Sequence, residues 1–359
     1  MTIRRLTAAA ITALLAVTAM AAPVSAFPPE DARYLDHAEM AAAVREIAAR
    51  KPGIARIFSI GTSYEGRELW AATVSDHVDV DEDEPEVLFD GGMHGREHMS
   101  TEMAVALFRT LVDGHETDRR ITELVNETEI TILFSLNPDG SEYDHASGTI
   151  LSWRKNRQPT PGSSEIGTDI NRNFEYRWGT NPLNASPSAW TYRGPAPWST
   201  PEASAFKRYV DGRAIGGEQQ IRVHVTFHQH GRIVLYPYGY TTEAIPPDMD
   251  ADDHAHLKAM ATEMARLSAY DVGQSSSGEI HVGNQVDWMY GTHRILSFTI
   301  EMGDAFHMPD EAIATETGRN MEAAFYAIEQ ASLMADADRR RDSIRPPSTV
   351  PSFHGLFCF

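Results

Sequence analysis

Apolar residues fall into short alternating runs and amphipathic stretches along most of the chain. Residues 221–228 alternate strictly: Val223, Val225 and Phe227 face one way and His224, Thr226 and His228 the other, the period of a strand that ends in a histidine. Further strands are predicted over residues 54–59 and 67–74, which form a hairpin around Gly61 and Gly66, and over 86–89. Residues 129–136 alternate Ile130, Ile132 and Phe134 and run into the turn Asn137-Pro138-Asp139-Gly140, and residues 295–300 form a β-rich run followed by Glu301. Helical spacing appears over residues 37–49, where Met40, Val44 and Ile47 share a face and Pro52-Gly53 follows, and over 100–112, stopped by Gly114. Helices are also expected over 201–210, 252–267 and 320–333. Strands alternating with helices predict a single α/β domain, a mixed and mostly parallel β-sheet flanked by helices on both faces, with functional groups at the strand ends.

Composition narrows this picture. The 359 residues are 42% apolar, enough for a large core, and no long linker divides them. The net charge is -20 and no basic stripe occurs, so nucleic acid is excluded as a partner. Residues 1–26 carry Arg4 and Arg5, an apolar run over 8–22, and Val24-Ser25-Ala26, a small-x-small cleavage site. They read as a secretory signal peptide, with one folded domain expected over 27–335, and the product is expected to be secreted. The paired arginines are either ordinary charges of a signal peptide or a mark of export in the folded state. The one cysteine, Cys358, cannot form an intrachain disulfide. No other apolar run reaches membrane-spanning length, so no membrane anchor is expected, and a monomer is expected. Residues 336–359 are charged, then Pro-rich, and read as a loosely held tail.

The chemistry concentrates in FDGGMHGREHMS, residues 89–100. Two readings compete. In one, His94 and His98 are the paired ligands of a helical HxxEH zinc motif with Glu97 as base. In the other, a strand ends in a tight turn that presents His94 and Glu97, with a third ligand from far down the chain. Gly91, Gly92 and Gly95 would each weaken a helix by about 1 kcal/mol relative to Ala, which favours the turn. Two His and one Glu form a known catalytic zinc set. Residues 137–198 are irregular and rich in Pro, Gly, Asn and Trp, and so long an irregular stretch in a folded domain is usually functional. Alone, His228 reads as an ordinary strand histidine and Glu301 as a structural carboxylate. Together with His94 and Glu97 they place a metal set and a free carboxylate at three strand ends.

The motifs HGRE, NPDG, WRKN, INRNF, FHQHGRIVLYPYG, VDWMYG and FTIEM follow one another in the order and spacing of the zinc carboxypeptidases, which the chain resembles over residues 35–335. The likeness is to the secreted bacterial branch. It implies one zinc ion, Zn2+, held by His94, Glu97 and His228, with Asp169 orienting His94. Arg154 corresponds to the carbonyl-polarising arginine, and Glu301 to the general base. Asn171 and Arg172 correspond to the pair that grips a terminal carboxylate, and Arg96 to a further arginine of the substrate path. The partner implied is a peptide substrate with a free C-terminal carboxylate, cut at its last bond. One position departs from the family: the mobile tyrosine that caps the substrate falls on Glu279, leaving Tyr240 or Tyr290 as possible replacements. Val286 lies where members that cut after basic residues carry an acid, so apolar or aromatic C-terminal residues are expected. The same site admits hydrolysis of cell-wall peptides or amino-acid amides, and the scaffold admits a non-catalytic secreted binding protein, which retention of Glu301 disfavours.

Overall fold

The alternating runs assemble into one eight-stranded sheet. The computed structural model describes residues 27–28, 31–82 and 84–344, so the expected leader at residues 1–26 and the end of the expected tail, residues 345–359, lie outside the described residues. In chain order come α1 (His37–Arg50), the hairpin β1 (Ala55–Thr62) and β2 (Glu68–Val74), β3 (Glu86–Asp90), α2 (His98–Gly114), α3 (Arg119–Glu127), β4 (Glu129–Leu133) and α4 (Pro138–His145). After the irregular stretch follow α5 (Pro201–Gly212), a small hairpin of β5 (Ala214–Ile215) and β6 (Glu218–Gln219), then β7 (Ile221–Gln229) and β8 (Ile233–Tyr236). The chain continues through α6 (Ala251–Ser268), β9 (Asp271–Gln274), α7 (Gln285–His293), β10 (Leu296–Met302) and α8 (Ile313–Ile344).

The sheet runs β1-β2-β4-β3-β7-β10-β8-β9. Its centre, β4-β3-β7-β10, is parallel, while β1, β2 and β8 join antiparallel to their inner neighbours. Helices α1, α2, α6 and α8 cover one face, where Val87, Phe89, Val223, Val225, Phe227, Phe298 and Ile300 are buried. On the other face α5 and α7 bring Phe206, Val210, Trp288 and Met289 onto Leu69, Ala71 and Leu88. The expected mixed sheet with helices on both faces is therefore what forms.

Several elements differ from the sequence expectation for identifiable reasons. Asn137-Pro138-Asp139-Gly140 starts α4 instead of making only a turn: the Asn137 side chain accepts from Gly140 N at 2.9 Å, and Pro138 sits where a helix needs no N–H. Helix α7 was not expected because Val286, Trp288, Met289 and Tyr290 are all buried, which erases an amphipathic stripe. Helix α3 and strand β9 were also missed. The last helix runs from Ile313 to Ile344, past the boundary expected at residue 335. Strand β10 extends through Met302, so Glu301 lies in the strand and not after it.

Between β3 and α2 the chain turns in a confined space. A Cβ built on Gly95 would lie 2.5 Å from the Gly140 carbonyl carbon and 2.9 Å from the Trp153 oxygen, both backbone atoms. Gly95→Ala should therefore force apart the loops that carry His94 and Arg154. It is expected to lower stability by about 1–3 kcal/mol, read from the urea unfolding midpoint. Gly53→Ala, with nothing within 4 Å of the added carbon, should change it little.

Candidate active site

At the C-terminal edge of the parallel strands three segments converge. Beyond β3 the backbone bends at Gly92 (φ +63), whose N–H is held by Ser100 Oγ at 2.9 Å, and the turn delivers His94 and Glu97 just ahead of α2. His228 lies at the end of β7. The register pairs it directly with Glu301 of β10.

His94 Nδ1 lies 2.8 Å from Glu97 Oε1, His228 Nδ1 lies 2.9 Å from Glu97 Oε2, and the two Nδ1 atoms are 3.2 Å apart. All three side chains are buried. Two ring nitrogens and a carboxylate that both of them meet form a compact donor set. Imidazole nitrogen and carboxylate oxygen are ligands zinc takes, so the residues fit that ion. The opposite ring nitrogen of His94 lies 3.3 Å from Asp169 Oδ1, the place of an orienting carboxylate. Burial opposes ionisation of Glu97, but the charge of His94 and hydrogen bonds from both histidines hold its carboxyl well below the usual range.

Asp169 is fully buried, yet it too is held well below the ordinary carboxylate range. Against burial act the Arg154 charge and the contact with His94. Arg154 Nε and Nη2 both lie 2.9 Å from Asp169 Oδ2, and Nη1 is 3.8 Å from Glu97 Oε1. Its own carbonyl accepts from Gly95 N at 3.1 Å, which ties the irregular stretch to the ligand turn.

Glu301 Oε2 is buried without a partner, facing a cavity of about 280 Å³. Burial pushes its carboxyl up to about 7, with Glu97 adding to the rise and His228, Arg154 and Arg172 opposing it. The same cavity is lined by His94, Glu97, Arg154, Asn171, Arg172, Arg96, Val286 and Glu279, while His228 and Asp169 stand behind His94 and Glu97 and do not line it. Arg172 is buried and closes a short 3-10 turn, residues Ile170–Arg172, that Asp169 caps. Arg96 is clamped between two aromatic rings, its guanidinium 4.5 Å from Trp190 and 3.6 Å from Phe306. Glu279 lies at the rim with its side chain 70% exposed.

His98 is not part of the donor set. Its ring is buried against Asp144 Oδ2 at 2.9 Å and Ser141 Oγ at 3.2 Å, which rules out the helical HxxEH reading. Neither tyrosine suggested as a replacement cap reaches the cavity: Tyr290 OH bonds Asp253 at 2.9 Å and Tyr240 OH bonds Asp248 at 2.5 Å. The sequence did not mark Trp190, Leu235, Ser275, His281, Asn284 and Thr299, which also line the cavity. Their only signal was the break in periodicity of the loops that carry most of them.

Residues 40–323 match the model of a family described as zinc carboxypeptidase. A protein called zinc carboxypeptidase from Saccharothrix mutabilis subsp. capreolus is 38% identical over 302 residues, covering 83% of this chain and 69% of that protein. Carboxypeptidase A2 of Rattus norvegicus is 28% identical over 259 residues, covering 72% of this chain but only 60% of its own length. A crystal structure of thrombin activatable fibrinolysis inhibitor has the same fold, with a TM-score of 0.76 at 23% identity over 84% of this chain and 75% of that one.

The two histidines next to the turn separate by experiment. His228→Ala is expected to leave the purified protein with far less than one zinc per chain after dialysis, and His98→Ala to retain it. Metal analysis that gave the reverse would restore the helical motif.

Proposed function

The chain belongs to the zinc carboxypeptidase family, metal-dependent hydrolases with one catalytic zinc, and from that premise we propose that it removes the C-terminal residue of peptides, with a preference for apolar or aromatic residues. The observation that carries this reading is the cavity onto which His94 and Glu97, backed by His228, open together with the unpartnered Glu301 Oε2 and Arg172. Zinc, when held by those three residues, supplies Lewis acidity toward a carbonyl and acidifies water.

The chain's own residues do the rest. Arg172, with Asn171 beside it, binds the terminal carboxylate through charge-assisted hydrogen bonds and so positions the last peptide bond. Glu301 Oε2 takes a proton from the attacking water and returns it to the departing amine. Arg154 sits where negative charge grows on the carbonyl oxygen, and its orientation is fixed in advance by Asp169. Leu235 and Val286 give the cavity apolar wall, and among the described residues the carboxylates that line it are Glu97, Glu301 and the rim residue Glu279. A lysine or arginine side chain seated inside would meet no acid reserved for it, and burying an unpaired cation is costly. Glu279 offers a partly solvated partner, worth less than a buried one. Residues 1–26 have the pattern of a signal peptide, which supports action outside the cell, on peptides in the medium. Among the described residues no helix is long and apolar enough to cross a membrane.

Two expectations test this. Glu301→Gln should keep its zinc and lower kcat by about 10²- to 10⁴-fold, the range for loss of a general base. Glu301 accepts a proton only when ionised, so in the parent kcat/KM should fall as pH drops through its pKa. That inflection should lie below about 7, since a bound cation draws the carboxyl down from its cation-free value, and Glu301→Gln should lose it. The second compares kcat/KM for matched peptides ending in Phe, Leu, Arg and Glu, and for the Phe peptide as its C-terminal amide. Phe and Leu should lead. The amide should be slower by roughly 10- to 100-fold, as loss of a charged hydrogen bond costs about 1.5–3 kcal/mol. A parent that prefers Arg, and still does as Glu279→Gln, would refute the apolar preference.

A further inference from the structure

We propose that His281 is a positioning residue for Arg172: its ring accepts a hydrogen bond from the guanidinium and holds it in the orientation that grips the substrate's terminal carboxylate. The inference rests on the exopeptidase reading above and assigns a role to a residue that the sequence did not mark.

The geometry is specific. His281 Nδ1 lies 2.7 Å from Arg172 Nη2, while Arg172 Nη1 donates to the Asn171 carbonyl, also at 2.7 Å. Arg172 Nε is buried with no partner. A guanidinium has five N–H donors and no acceptor, so a ring nitrogen this close must present its lone pair, and the ring proton belongs on Nε2. The same Nδ1 lies 3.4 Å from Glu279 Oε1, a contact that would need the opposite tautomer. The two cannot coexist, and the shorter contact, with a partner that can only donate, decides for Arg172. Burial, then the charges of Arg172 and Arg154, lowers the His281 pKa to about 3, which keeps the ring a neutral acceptor at ordinary pH.

The ring is itself fixed at both ends of its residue. His281 N donates to the Gly239 carbonyl at 2.9 Å, and its carbonyl accepts from Asn284 Nδ2 at 3.1 Å. Asn284 is anchored in turn, because its side-chain oxygen caps α7 by accepting from Asp287 N at 2.8 Å. Gln285 N donates to Asn171 Oδ1 at 2.9 Å, so the loop that carries His281 and the turn that carries Arg172 are joined twice. With one hydrogen on each Nη committed, the remaining hydrogens on those nitrogens and on Nε are left for a carboxylate. Without His281 the guanidinium is free to turn toward Asp169, Glu279 or Asp287, the carboxylates whose charges act on it.

The test uses the zinc-loaded full-length protein and one peptide ending in Phe, as free acid and as amide. In His281→Ala, KM for the free acid should rise about tenfold while kcat falls much less, and the acid-over-amide preference in kcat/KM should drop about tenfold, a change of about 1.4 kcal/mol. His281→Gln, which restores an acceptor, should recover most of that preference. If His281→Ala does not fold, His281→Leu, of similar bulk and with no acceptor, gives the same comparison against His281→Gln. The proposal is overturned if the preference is unchanged without the acceptor, or if Gln loses as much of it as Ala or Leu. A parent with no acid-over-amide preference would overturn the exopeptidase reading, and this role with it.

Discussion

The site depends on the register of β3, β7 and β10, and one buried carboxylate ties that register down. Asp90, at the end of β3, accepts from Thr226 Oγ1 at 2.8 Å and from Gln285 Nε2 at 2.9 Å, and meets His224 Nε2 at 2.6 Å. The other nitrogen of His224 lies 2.7 Å from Ser297 Oγ on β10, so a single polar network crosses three strands and reaches α7. Unpaired, these buried groups would each cost several kcal/mol, by roughly 2–7 depending on the reference. In this register Asp90, Thr226, His224, Ser297 and Gln285 Nε2 all find partners. A slip of one residue would turn His228 and Glu301 to the opposite face. The register places Asp90 opposite Thr226 and Glu301 opposite His228, and the turn beyond Asp90 then brings His94 and Glu97 to the same edge.

On that frame sits a group of buried charges that hold one another. Arg154 is shared between Asp169 and Glu97, Asp169 also meets His94, and Glu97 joins both histidines. Removing any one would leave a buried charge without compensation, which is why such clusters are sensitive to single substitutions. In the proposed reaction the guanidinium and the carboxylates, already oriented by the fold, would need no rearrangement as charge develops on a substrate. The cavity beside them has Arg172, Asn171 and His281 among its lining residues, and Leu235 and Val286 as well, and the proposed reading assigns the first group to the terminal carboxylate and the second to the last side chain.

Much of this was legible in the sequence, and the physical reasons for success and failure differ. The strict alternation around His228 and the glycines around His94 each impose a local geometry, so the strand ends and the ligand turn could be read directly. Asp169, Arg154 and Arg172 carry no such local sign. They lie in the irregular stretch, where only the resemblance of their motifs to a family pointed to them, and the fold brings them in through contacts such as Gly95 N to the Arg154 carbonyl. Helix α7 was hidden because it is buried on all sides, and Asn137 was misread because the same Asn-Pro start serves both turns and helices. His281 was invisible for a further reason. It is marked by one long-range contact with Arg172, and nothing in residues 274–280 or in those that follow indicates that a histidine there meets an arginine far back in the chain.

The central claim is that one ion and one carboxylate end of a substrate occupy the same cavity in a fixed relation to Glu301. Its most direct measurement is a crystal structure of the zinc-loaded protein with a dipeptide ending in Phe bound, with the metal located by anomalous scattering. The account predicts a single zinc peak at about 2.0–2.2 Å from His94 Nδ1, His228 Nδ1 and the Glu97 carboxylate. It also predicts the peptide's terminal carboxylate on Arg172, with the Phe ring against Val286 and Leu235. Zinc on His98, or a carboxylate bound away from Arg172, would contradict it.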